Sequence, residues 1–194
     1  MSALYVGRTV VYPYFVDKEN IQVEEDDGLR YSLRIPFLDK KEKGKLVVIL
    51  KNPSSATASD CDNTISKVCN VAHNNGYSEV LVLNLFPVRA TYAEDVRKFY
   101  GCENYESLMN KNLDTIKQYC NGADVVFAWG TDTIKGHKEY PKNYDEAIKK
   151  VIQNVEGNIY FVKQFNCTNR DKKVIYPLHG LRWANNSNLI TFKQ

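Results

Sequence analysis

Two asparagines and a histidine stand where apolar runs give way to polar turns. In "LVVILKNPSSATASDCDNT", residues 46 to 64, the run ends on Lys51, Asn52, Pro53 and Ser54, and a small-residue loop carries Asp60 and Asp62. In "EVLVLNLF" the run ends on Asn84 and Phe86, and in "YPLHGLRW" His179 is followed by Leu181, Arg182 and Trp183. A carboxamide such as Asn52 accepts a hydrogen bond from water without adding full charge, and Asn84 can donate and accept toward one polar edge. His179 is expected to titrate near neutrality and so to give a pH-dependent site. Each residue also has a plainer use. Asn52 suits a turn before Pro53, Asn84 an amide bonded to nearby backbone, and His179 a packed loop. Asp62 precedes "NTISKV" and reads first as a helix N-cap, secondarily as a partner of Asn52 in holding water, with Asp60 the weaker acid.

Several chemistries find no support. Ser54 and His179 lack a Gly-x-Ser-x-Gly elbow, and "GTDTIKG" lacks the Gly-Lys-Ser/Thr ending of a phosphate loop. His73, His137 and His179 lie far apart, and none of the five cysteines forms a Cys-x-x-Cys pair, so neither a metal site nor a cofactor is expected. The cysteines read as reduced structural thiols.

The elements that must carry these residues alternate. Ile21 and Val23, then Leu29, Tyr31, Leu33 and Ile35, predict a hairpin turned at Asp27-Gly28. "DKKEKGK" reads as a charged loop. Strands follow at "KLVVIL", "EVLVLNLF", "DVVFAWG" and "NIYFVKQF", with "KVIYPLHGLRW" a last strand running into a loop. Helices are expected over Thr64–Asn75, from the capping box "TYAE" to Gly101, over Tyr105–Cys120 and over Tyr144–Val155. Continuous apolar strands between helices predict a mostly parallel sheet covered on both faces, which binds ligands at its strands' carboxyl ends. Those ends carry Asn52, Asn84, Trp129-Gly130 and His179.

At 194 residues and 43% hydrophobic content the chain suits one domain, with residues 1–45 a β-rich extension packed on it. The longest aliphatic run, Leu46 to Leu50, is too short to span a membrane, and no secretory signal is evident, so a cytoplasmic protein is expected, with a monomer the favoured state. The net charge of +3 is unevenly spread: Asp17–Asp27 holds six acids and one lysine, Asn158–Gln194 six basic residues and one acid. Such asymmetry suits a polyanion-binding face or a solvated surface.

Four segments together, "KNPSSA", "DNT", "NLFPVRAT" and "VVFAWG", resemble the pattern of a bacterial family known as a domain of unknown function. They also resemble, in order and approximate spacing, the uracil-DNA glycosylase superfamily, its mismatch-specific branch in particular. The resemblance implies a three-layer α/β/α sandwich and a metal-free, monofunctional DNA glycosylase that hydrolyses the bond to a flipped base, in repair or in defence against viral DNA. It implies that Asn52 orients the attacking water, that Asn84 reads the base edge with Pro53, Ser54 and Phe86 beside it, and that His179 holds the leaving base. Lys51, Arg89, Lys163 and Arg182 would meet DNA phosphates, with Leu181 and Trp183 wedging the duplex. For Phe86, Leu181 and Trp183 the competing use is core packing, and for the cations plain surface charge. The superfamily's closing loop sets His directly before Pro, whereas here Tyr176 precedes Pro177. Either His179 reaches the same space by another path or that role is lost. The rival expectation is a binding protein that holds a free nucleotide or signal in the same strand-end pocket.

Overall fold

The computed structural model describes residues 9–90, 98–130, 140–162, 166–169 and 174–192. A two-residue strand β1 (Thr9–Val10) leads to the hairpin of β2 (Gln22–Asp26) and β3 (Leu29–Pro36). Asp27 and Gly28 turn it with φ of 43° and 77°, the left-handed pair that a two-residue hairpin turn requires. Then come β4 (Lys43–Leu50), β5 (Cys61–Asp62), α1 (Asn63–Asn74), β6 (Tyr77–Asn84), α2 (Tyr105–Cys120), β7 (Ala123–Phe127), α3 (Tyr140–Asn154), β8 (Gly157–Val162), β9 (Asn166–Asn169), β10 (Val174–Pro177) and β11 (Leu189–Thr191).

Seven strands form one mixed sheet in the order β11-β8-β7-β4-β6-β3-β2. The central four, β8, β7, β4 and β6, are parallel, while β11 and the β2–β3 hairpin flank them in antiparallel register. The α/β class is as expected. The sheet is mixed, because the N-terminal hairpin continues it through β3 on β6 instead of packing on it as a separate layer.

Alternation along the central strands divides the core. Leu46, Val48 and Leu50 face one side with Val80, Val82 and Val126, and there meet Ile65, Val68, Cys69 and Ala72 of α1. Val47 and Ile49 face the other with Leu81, Leu83, Val125 and Phe127, under Met109, Ile116 and Cys120 of α2 and Tyr144, Ile148 and Val151 of α3. A helix therefore packs on each face, as a parallel centre needs. Each fully buried aliphatic side chain contributes about 1.5–3 kcal/mol.

Three expectations need correcting. Lys43–Lys45, read as part of a charged loop, opens β4: Lys43 Nζ lies 4.8 Å from the Tyr77 ring centroid and Lys45 Nζ 5.3 Å from that of Tyr119, so the ammonium groups rest on aromatic faces while the backbone pairs with β6. The strand expected as the last one, β10 over Val174–Pro177, does form and runs into the His179 loop, but among the described residues it pairs with β9 alone, outside the main sheet. The sheet's last strand is instead β11, whose three residues carry too little alternation to be read. Helix α3 starts at Tyr140, ahead of the expected Tyr144. "TYAE" lies outside the described residues.

Candidate functional site

The carboxyl ends of the parallel strands continue their pairing into the loops. Leu85 N donates to Leu50 O (2.9 Å), Phe86 N to Lys51 O (3.0 Å) and Ala128 N to Ile49 O (2.8 Å), and Gly180 N reaches Ala128 O at 3.3 Å. These bonds gather the Asn52 turn, Asn84 and the His179 loop at one end of the sheet. Asn52 is half-buried, and its Nδ2 donates to Ala90 O (2.7 Å) and Pro53 O (3.2 Å). Main-chain carbonyls thus anchor the amide nitrogen, and among the described residues the amide oxygen has no hydrogen-bond donor, so it can act as an acceptor.

Asn84 is fully buried. The orientation of its carboxamide that satisfies its neighbours sets the nitrogen 3.1 Å from Asn52 O and 3.3 Å from Leu83 O. It braces the Asn52 turn, which is the backbone alternative for this residue. Asn112 of α2, missed in the sequence, braces the same place from below, donating to Asn84 O (3.0 Å) and Leu85 O (3.2 Å).

The loop from Pro53 to Asp62 is held by charge. Asp62 is the α1 N-cap as expected: Oδ1 accepts from Thr64 N (2.8 Å) and Ile65 N (2.9 Å), and Oδ2 from Ala56 N (3.3 Å). Asp60 is exposed and bonds only Ser59 and Thr57 nearby. Arg30, fully buried and also missed, donates through Nη1 to Ala56 O (2.9 Å). Burial, and secondarily the neighbouring Arg89, pulls its guanidinium down to about 10, so it stays charged at neutral pH. Arg89, expected as a phosphate contact, is engaged within the fold: Nη1 donates to Ser54 O (3.1 Å) and Ala56 O (3.3 Å), and Nη2 meets Glu25 at 2.7 Å.

His179 caps the short 3-10 turn Gly180–Arg182, its Nδ1 accepting from Leu181 N at 3.1 Å. With Nδ1 an acceptor, the neutral ring carries its proton on Nε2 and can donate from there. Burial, then Lys51, then Arg182 push its pKa down to about 4, with Asp62 pulling weakly the other way. The expected titration near neutrality is therefore corrected: at physiological pH the ring is neutral. Gly130 makes room for it, since at φ +77 a Cβ there would lie 2.9 Å from His179 Cβ. Gly130→Ala is expected to cost about 1–2 kcal/mol, from the positive φ and the displaced imidazole together, and to lower the thermal midpoint accordingly. Lys51 Nζ sits 4.7 Å above the ring of Tyr144, whose hydroxyl donates to Gly130 O (2.9 Å) and Trp129 O (3.1 Å), so this unpredicted tyrosine ties α3 to the β7 end. Tyr176, the residue before Pro177, bonds Asp145 through its hydroxyl.

The expected wedge divides. Leu181 is 46% exposed beside exposed Arg182, with Lys67 Nζ on its carbonyl at 2.6 Å. Trp183 is buried in the core under α1 and its Nε1 donates to Leu178 O (3.1 Å), because its indole fills space that a loop tip cannot leave empty. Phe86 is likewise core, fully buried against Tyr100 and Tyr144, and so is not a platform for a base. Pro53 is buried in the turn, Ser54 is half-buried, and Lys163 lies outside the described residues. A cleft of about 360 Å³ lies away from all of these, over β2, β3 and the amino ends of β4 and β6, lined by Ser32, Arg34, Lys45, Glu79 and Tyr119.

Cys61, Cys69, Cys102 and Cys120 are free, and burial pushes the thiols of Cys61 and Cys120 up to about 12, so these two are poor nucleophiles. Among the described residues no three His, Cys, Asp or Glu side chains are grouped to hold a metal ion, and no helix is long and apolar enough to cross a membrane.

No curated protein and no solved structure matches the chain. A family model does, over residues 30–179, which takes in Arg30, Asn52, Asp62, Asn84 and His179 and stops before Leu181. The chain belongs to the family described as Protein of unknown function (DUF1643).

Proposed function

We propose that this protein is a metal-independent, monofunctional DNA glycosylase with a three-layer sandwich of the uracil-DNA glycosylase type, acting in the cytoplasm on a damaged or modified base. The observation that carries the reading is the bond from Leu181 N to His179 Nδ1, which leaves Nε2–H to act as donor, at the same sheet end as Asn52. Cleaving the glycosidic bond sends the bonding electron pair to the base and leaves positive charge on the sugar. A neutral imidazole donates to the departing anion without surrendering its proton, and neighbouring Lys51 and Arg182 favour both that neutral ring and the anion. Water then forms the new bond to the sugar carbon. The Asn52 oxygen orients it, and the proton the water sheds passes to the departed base anion, so no strong protein base is needed. Asn84 and Asn112 serve by fixing the turn that carries Asn52. A base within a duplex must first be flipped, and exposed Leu181 beside Arg182 and Lys67 suits the gap it leaves.

A binding protein for nucleotides is the second reading. It is favoured by the burial of Asn84 and Phe86, which leaves fewer groups to read a base. Incubation with duplexes carrying uracil, mismatches or hypermodified bases, followed by alkali, separates the two. The enzyme is expected to leave strand breaks that persist with chelator and fall at least a hundredfold in Asn52→Ala. Breaks that need added metal, or equal activity in that variant, contradict the assignment.

A further inference from the structure

Arg30 and Arg89 approach each other closely, their Nη1 atoms lying 2.9 Å and 3.3 Å from the same oxygen, Ala56 O. Two guanidinium groups so placed repel, and the one buried carboxylate near Arg30, that of Asp62, attracts it without a hydrogen bond between them. Among the described residues, Nε and Nη2 of fully buried Arg30 have no hydrogen-bond partner, and neither has the buried Oγ of Ser54 in the same loop. The nearby carboxylate of Asp62 is already occupied by three backbone N–H groups. A buried guanidinium held only by a carbonyl is costly unless an anion completes it. Planar donor forks side by side match the oxygens of a phosphate.

One carboxylate does reach the pair, from the rim. Glu25 Oε2 meets Arg89 Nη2 at 2.7 Å, with Glu25 54% and Arg89 27% exposed. The β2–β3 ladder shifts register between Glu24 and Glu25, an irregularity that re-aims the side chain across the hairpin toward Arg89. An exposed pair of this kind is weak and readily exchanged.

We propose that Arg30, Arg89 and Ser54 form a binding site for one phosphate group, and that Glu25 occupies Arg89 until a phosphate displaces it. The site lies beside the Asn52 turn, so a nucleic-acid backbone or a free nucleotide could supply the group. Its existence does not depend on bond cleavage.

Titration of the whole chain with inorganic phosphate, at ionic strength matched with chloride, reads the site directly. Binding is expected in the millimolar range. It should tighten about threefold in Glu25→Gln, which removes the competing charge, and be lost in Arg89→Gln and in Arg30→Met. Arg30→Met keeps the buried volume, and its unfolding midpoint reports whether the fold survives; the Glu25→Gln arm stands even if it does not. Phosphate that binds no better than chloride, or binding unchanged in both Glu25→Gln and Arg89→Gln, overturns the proposal. Competition by an undamaged duplex names the backbone as the source. Competition by mononucleotides alone keeps the site and counts against the glycosylase reading.

Discussion

Replacing His179 with alanine is expected to lower the rate of base release by roughly 100- to 1000-fold, the loss typical of one donor aimed at a developing anion. The neutral ring keeps its proton on Nε2, where it can donate, because Leu181 N occupies Nδ1. It stays neutral because burial, Lys51 and Arg182 all oppose its proton, with a pKa pushed down to about 4. The rate should therefore show no step attributable to this group from pH 5 to pH 9. The same shift makes a stability statement. Above pH 6.5 the imidazole is neutral both folded and unfolded, and its contribution is whole. Between 6.5 and 4 only the unfolded chain takes the proton, so stability falls with pH, by about 3 kcal/mol once pH passes below 4. His179→Gln, which keeps an acceptor for Leu181 N, should flatten that part of the curve. Denaturant unfolding from pH 4 to pH 8 checks it. A rate step near pH 6.5, or equal acid sensitivity in the glutamine variant, would refute the neutral ring.

The largest effect on stability is expected at Asp62. Its carboxylate satisfies Thr64 N and Ile65 N at the start of α1 and Ala56 N across the loop. Asp62→Ala removes a cap worth about 1–2 kcal/mol and strands the buried Ala56 N–H at a further cost of about 1–2 kcal/mol. The sum, about 3 kcal/mol, corresponds to a fall of roughly 6–12 °C in Tm for a domain of this size. Asp62→Asn keeps an Oδ1 acceptor and should lose less than half as much. The alanine variant should also lose activity, because the loop that follows Asn52 is no longer pinned at Ala56. Thermal unfolding of the two variants side by side decides it; equal losses would mean that the charge, not the cap, is what matters.

The parts of this fold written in short-range chemistry were legible in the sequence. Asp27-Gly28 is a turn because both residues tolerate positive φ. Asp62 is a cap because an acceptor precedes the apolar spacing of Ile65, Val68, Cys69 and Ala72. Asn52, Asn84 and His179 were found because each interrupts an apolar run. What the sequence hid depends on distant partners. Arg30, within an alternating strand, reads as solvent-facing, yet it is buried because Ala56 arrives from another loop. Asn112 looks like one more polar residue on a helix until two carbonyls from the β6 end meet it. Phe86 and Trp183 have the right type for stacking on bases, and only the layers packed over them show that they are core. Leu181 differs from Trp183 by two positions and lies on the other side of that boundary.

The family match runs over residues 30–179, and both arginines of the Ala56 loop lie inside it with Asn52, Asp62, Asn84 and His179. Asn52 and His179 come from the ends of different strands, joined by backbone bonds from Gly180 to Ala128 and from Ala128 to Ile49. A turn that only reversed the chain would not need the bracing that Asn84, Asn112, Arg30 and Asp62 supply.

Mass spectrometry of the small molecules released when the protein is incubated with DNA rich in modified bases is the most direct measurement. A free base, accumulating with time, absent with His179→Ala and matched by an equal number of abasic sites, is the predicted result. Intact DNA and no free base across uracil-containing, mismatched and hypermodified substrates, from protein that nonetheless binds mononucleotides tightly, would contradict it.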